Sequence, residues 1–261
     1  MIKKYIEEVT ARREKVLSIF LTAGFPHKND FVHLAEKVLQ AGADMLEIGI
    51  PFSDPLADGP VIQYSSQTAL ENGVTIQDAF HFAEEIRKKS DKPLIAMTYA
   101  NIVSNYGIDK FVTDASLSGF NGVIIPDLSL DEYDKFITFQ KEDFDIILLA
   151  TPTSSEKRII ALDEKSKGFV YYVSVTGTTE TRNGFTNEDI SAMQKNRKLI
   201  SQNKMLAGFG ISSAENILQI QDFCDGVIVG SAVIKKLINN ESYDSVASFV
   251  SELKKTCRIR E

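Results

Sequence analysis

Apolar positions along the chain alternate between two spacings. Short runs rich in Val, Ile, Leu and aromatic residues are separated by longer stretches whose apolar residues recur every three or four positions. The first spacing reads as strand and the second as amphipathic helix. Residues 1–15 open with a helical pattern that sets Ile2, Tyr5, Ile6 and Val9 on one side. A strand follows at 16–24, where Leu17, Ile19 and Leu21 alternate with Ser18, Phe20 and Thr22. Phe31, Leu34, Ala35, Val38 and Leu39 then fall at helical spacing, with Asn29 or Asp30 available as a cap and Ala41-Gly42 as a stop. Further strands are predicted in the Glu47 segment that Pro51 ends, and at 93–101, 122–127, 145–152, 168–175, 204–210 and 226–231. Helices are predicted near 60–71, 76–89, 108–117, 131–141, 155–166 and 187–199, then behind Ser212 and in two closing segments. Thr75 with Asp78, and Ser212 with Glu215, have the spacing of capping boxes.

The pattern therefore gives eight strands, each followed by helix, with no linker or repeat between them. Continuous β-branched runs separated by helices indicate a parallel sheet covered on both faces. Eight such units within 261 residues favour a closed (β/α)8 TIM barrel with an extra N-terminal helix, residues 1–261 forming a single domain. An open doubly wound sheet is the alternative.

Composition narrows the partners more than the fold. The formal charge of −7, from 36 acids against 29 bases, argues against nucleic acid as the main partner. Cys224 and Cys257 are too few and too scattered for a disulfide framework and read as thiols in a reducing compartment. No apolar run approaches the roughly 20 residues needed to span a bilayer, and the amino end lacks the apolar core of a signal peptide. These features predict a cytoplasmic protein without a membrane segment. His27, His33 and His81 show no metal-ligand spacing.

In a barrel, chemistry gathers at the carboxyl ends of the strands. Phe20, Glu47, Tyr99, Tyr171, Gly208, Gly210, Gly230 and Ser231 all fall there. Strand alternation sets Met45, Glu47 and Gly49 on one face, while Leu46, Ile48 and Ile50 suit packing against helices. Glu47 then points inward, without a local cation, and its pKa is predicted to be raised. A structural ion pair with a buried base is the other reading. Asp58 returns a second carboxylate from the Pro- and Gly-containing loop after that strand, although Asp in such loops is commonly a turn residue. Two acids entering one cavity suggest proton transfer. Gly208-Phe209-Gly210-Ile211-Ser212 and Gly230-Ser231-Ala232 follow the last two strands, where barrels often bind phosphate through backbone amides and helix amino termini. Alternation allows only one of Tyr171 and Tyr172 to face the cavity.

With these residues in view, the chain closely resembles the tryptophan synthase alpha subunit family along essentially its whole length. LEIGIPFSDPLADGPVIQ at 46–63 is the most specific segment; TAGFP at 22–26, MTYANI at 97–102, YYVSVTG at 171–177, GFGIS at 208–212 and VGSAV at 229–233 support it. The resemblance implies a lyase that cleaves indole-3-glycerol phosphate to indole and glyceraldehyde 3-phosphate by a retro-aldol reaction, late in tryptophan biosynthesis. Glu47 matches the family's general acid/base and Asp58 the second acid, which faces the indole N–H. Phe20, Met97, Tyr99 and Tyr171 match positions lining the indole pocket, and Gly210, Gly230 and Ser231 the phosphate site. Thr179 matches a mobile-loop threonine that helps position Asp58. The chain departs from the family at Glu180, where glycine is usual beside the substrate, and at Ser129, which replaces a proline usual at the subunit interface. The resemblance also implies an alpha2-beta2 heterotetramer with a beta subunit, contacted through Pro51–Asp58 and the segment around Asn101. Pyridoxal phosphate would belong to that partner, and this chain would need neither cofactor nor metal.

Overall fold

The computed structural model describes residues 1–137, 143–174 and 184–258. Eight parallel strands close on themselves in sequence order. They are β1 (Val16–Thr22), β2 (Met45–Gly49), β3 (Leu94–Met97), β4 (Gly122–Ile124), β5 (Asp145–Ala150), β6 (Val170–Val173), β7 (Met205–Gly208) and β8 (Gly226–Val229). The helices are α1 (Ile2–Ala11), α2 (Phe31–Gln40), α3 (Pro60–Glu71), α4 (Ile76–Arg87), α5 (Ala100–Tyr106), α6 (Ile108–Leu117), α7 (Leu130–Ile137), α8 (Glu156–Lys165), α9 (Asn187–Arg197), α10 (Ala214–Ile220), α11 (Ser231–Ile238) and α12 (Tyr243–Thr256). The closed barrel excludes the open sheet: β1 pairs with β8 through Val16↔Gly226 to Ile19↔Val229. Among the described residues no helix is long and apolar enough to cross a membrane.

Two apolar clusters follow from strand alternation. Met45, Ile95, Ile124, Ile147, Phe169, Tyr171, Leu206 and Ile228 fill the barrel interior, joined from below by Ile2, Ile6 and Val9 of α1. Leu17, Ile19, Leu21, Leu46, Ile48 and Tyr172 belong instead to the layer between strands and helices. Each fully buried Leu or Ile contributes roughly 1.5–3 kcal/mol by leaving water, so shifting a strand's register by one residue would reverse its faces and forfeit much of both layers.

Local chemistry explains several boundaries. Thr75 and Asp78 form a reciprocal capping box at α4, as their spacing predicts. At α10 the cap is Ser213, whose side chain accepts from the Asn216 amide, and not Ser212. Ser212 sits one residue outside and donates its own hydroxyl to Asn216. At α2 Asp30 occupies the cap position without a side-chain bond, because a short 3-10 turn at Lys28–Asp30 leads into the helix. Arg13 adopts a φ of 58°, which ends the predicted 1–15 helix early. Strands three, four and six are shorter than the apolar runs suggest. The surplus residues belong to loops at the carboxyl rim, and α5, which the spacing did not reveal, begins directly beyond Tyr99.

Candidate active site

Glu47 sits in the middle of β2, opposite Phe20 of β1 and Ile95 of β3. It is wholly buried. Its Oε1 accepts a hydrogen bond from the Ser18 hydroxyl at 2.9 Å, whereas Oε2 has no partner among the described residues. Burial pushes its pKa up to about 8, only partly offset by the Ser18 bond. A carboxyl in that state is protonated near neutral pH and close enough to titration to give up its proton.

Asp58 lies in the loop between β2 and α3 and reaches the same chamber. The Tyr99 hydroxyl donates to its Oδ2 at 2.9 Å and accepts from the Ala57 amide at 3.2 Å. Burial raises the Asp58 pKa to about 6, against the lowering effect of the Tyr99 bond. Near neutral pH it is therefore mostly ionised while Glu47 is mostly protonated. Burial and the neighbouring Asp58 carboxylate drive the Tyr99 phenol well above its ordinary range, so it remains a donor.

A cavity of about 570 Å3 opens at the carboxyl ends of the strands. Phe20, Glu47, Asp58, Met97, Tyr171, Gly210, Gly230 and Ser231 all line it, together with Phe209 and Ile211 of the GFGIS turn and with Val61, Ile62 and Ile228, which the sequence pattern did not assign to the site. Tyr99 is not one of the lining residues. The chain leaves β3 at Met97 and turns, so Tyr99 becomes the N-cap residue of α5 and its ring stacks 5.2 Å from Phe52 behind Asp58. Thr179 and Glu180 lie outside the described residues.

Two glycines let the aromatic walls approach the strands. A side chain at Gly49 would come within 2.5 Å of the Phe20 ring, and one at Gly208 within 2.2 Å of the Tyr171 hydroxyl. Tyr171 meets Phe209 edge to face, with centroids 6.1 Å apart. The result is a slot walled by aromatic rings, with the Glu47 carboxyl among its lining groups. Toward the rim, Gly210 holds a φ of 74° just ahead of α10, and Gly230 is the N-cap residue of α11. Backbone amides at such turns offer donors to an anion. Lys235 and Lys236 line the outer wall, the latter bonded to Glu241 at 3.0 Å. Among the described residues no three of His, Cys, Asp and Glu converge as metal ligands would.

A sequence model described as the tryptophan synthase alpha chain matches residues 6–259. The chain belongs to that family. A tryptophan synthase alpha chain from a Thermoanaerobacter strain is 42% identical over 259 residues, covering 97% of this chain and 98% of the relative. Another, from Flavobacterium psychrophilum, is 40% identical over 242 residues, covering 92% and 95%. Among solved structures, one of Mycobacterium tuberculosis tryptophan synthase superposes with a TM-score of 0.90 at 30% identity, covering 99% of this chain and 98% of that one. Membership makes the protein a lyase of tryptophan biosynthesis.

Proposed function

We propose that this chain cleaves indole-3-glycerol phosphate to indole and glyceraldehyde 3-phosphate, with Glu47 as general acid/base and Asp58 as electrostatic partner. The observation that carries this reading is the pair of carboxylates in one cavity whose pKa values burial sets at about 8 and about 6. Environments that push the pKa values of neighbouring carboxyls apart assign their roles. Protonated Glu47 delivers its proton to the ring carbon that bears the side chain, and positive charge develops at the ring nitrogen. Ionised Asp58 faces that N–H and stabilises the charge. Cleavage of the carbon–carbon bond returns electrons to the ring while Glu47, now ionised, takes the proton of the adjacent side-chain hydroxyl. Glu47 ends the cycle protonated, as it began.

The slot formed by Phe20, Met97 and Tyr171 receives the indole in this reading, and Tyr99 serves by holding Asp58. Gly210, Gly230 and Ser231 receive the phosphate through backbone amides. Thr179 remains the residue expected to steady Asp58 from the loop. Residues 1–261 act as one barrel domain, without a metal or cofactor of their own. The chain works with a beta subunit in an alpha2-beta2 heterotetramer in the cytoplasm, pyridoxal phosphate residing in that partner. Leu56, 94% exposed on the Pro51–Asp58 loop, suits a surface that another chain covers.

Indole release from indole-3-glycerol phosphate, measured for the chain alone and with the beta subunit, tests the reading. Activity that rises on mixing and vanishes in Glu47→Gln is expected. Indole formation by Glu47→Gln at the parent rate would move the chemistry elsewhere.

A further inference from the structure

Ser18 faces the barrel interior on β1, two residues before Phe20 and one layer below it. The β1–β2 register pairs Ser18 with Met45 and Phe20 with Glu47, so the tilt of the strands brings Ser18 diagonally under the Glu47 side chain. Both residues are wholly buried. The hydroxyl donates to Oε1 at 2.9 Å, and no other side chain hydrogen-bonds Glu47 among the described residues. The two carboxyl oxygens are therefore inequivalent: one is anchored to the wall, and the other, on a residue that lines the cavity, has no partner among the described residues.

We infer that Ser18 is a positioning residue for the acid/base carboxyl, fixing Oε1 so that Oε2 exchanges protons with the ligand. The inference rests on the reading of Glu47 given above. A carboxyl held by nothing could rotate about its terminal bond and spread its proton over both oxygens and several directions. A single donor removes that freedom, and proton transfer at fixed geometry gains accordingly. The same donor acts on charge. Burial alone favours the protonated acid, whereas a hydroxyl donor favours the carboxylate. The cycle requires Glu47 in both forms, and Ser18 keeps the ionised one within reach. Among the described residues, the other titratable groups around the chamber are Tyr171 from β6, Asp58 with Tyr99 behind it, and Lys235 and Lys236 on the outer wall. Tyr171 is held as a neutral phenol by burial and by the two carboxylates.

Ser18→Ala removes the donor and Ser18→Thr retains it; each is to be compared with the parent and with Glu47→Gln, in complex with the beta subunit. For Ser18→Ala we expect kcat to fall about tenfold, the loss of one hydrogen bond to a charged group, with KM within about twofold. The limb of the kcat–pH profile belonging to Glu47 should move up by about one pH unit. Ser18→Thr should restore most of both. A merely structural serine would lower thermal stability in Ser18→Ala without moving the limb. An unmoved limb with kcat within about twofold of the parent, alongside an inactive Glu47→Gln, overturns the role of Ser18 alone. An active Glu47→Gln overturns the reading beneath it.

Discussion

Asp44 and Glu47 stand three positions apart, one just before β2 and the other at its middle, and the barrel treats them in opposite ways. Asp44, just before the strand, accepts from the Leu17 amide at 2.8 Å and from Lys254 at 2.8 Å. Lys254 also reaches Glu14 at 2.9 Å. Although burial opposes its charge, Asp44 and Glu14 hold the Lys254 ammonium above its ordinary range. Glu47 is just as deeply placed and has one neutral donor among the described residues. A buried carboxylate with a cation beside it serves the fold, because its charge is neutralised and its geometry closed. One deprived of a cation destabilises the charged form and gains reactivity from that. The same segment thus holds a structural acid just before β2 and, nearer the carboxyl ends of the strands, the acid proposed for chemistry, in keeping with the division of labour in such barrels.

Exchanging the chemistry at the two acids separates these roles. The largest effect is expected for Glu47→Gln: indole formation should fall by about 10³-fold, within the range for loss of a general acid/base, with the fold intact by circular dichroism. Beside the other acid, Lys254→Met removes the cation bonded to Asp44 and should lower unfolding free energy by about 3 kcal/mol in urea titration, while activity per folded molecule stays near the parent's. Equal loss of activity in both variants would erase the distinction.

The pH dependence of stability sharpens it further. Below about pH 4.5 Glu47 is protonated in both the folded and the unfolded chain and contributes no penalty. Between there and about pH 8 the unfolded chain has released the proton that the folded chain keeps. The native state then binds more protons, so its stability falls as pH rises through this window and levels off above it. Glu47→Gln removes that slope. The variant should be more stable than the parent at pH 9, by roughly 5 kcal/mol at most, and little different at pH 5, as thermal melts at both values would show. The smallest effect is expected for Tyr99→Phe. It frees the Asp58 carboxylate from the one side-chain donor it has among the described residues and should reduce kcat about fivefold; an unchanged rate would mean that Asp58 is held by other groups.

Much of this was legible in the residues themselves. The β-branched runs between helical segments yield all eight strands, and alternation alone turns Glu47 inward and separates Tyr171 from Tyr172. The failures share a cause: alternation holds only while the chain remains a strand. Met97 and Tyr99 have the same parity, yet β3 ends at Met97 and the turn carries Tyr99 behind Asp58. The seven residues of α5 are too short and too polar to announce a period. Ser212 and Ser213 are adjacent hydroxyls, and only the path of the turn decides which caps α10. Ser18 reads as a polar interruption in an apolar run. Its partner becomes visible only when the stagger between the first two strands is known.

The N-terminal helix has a consequence for how the chamber communicates with water. Ile2, Ile6 and Val9 pack into the interior beneath Met45 and Phe169, like a bung in the narrow end of a flask. Among the described residues, the opening toward Glu47 is then the cavity at the carboxyl ends of the strands, which Asp58 also lines and which the proposed ligand would occupy. In the proposed reaction, a filled slot leaves the acid with a single correspondent, and the hydrogen it hands over is replaced by the one the side-chain alcohol gives back.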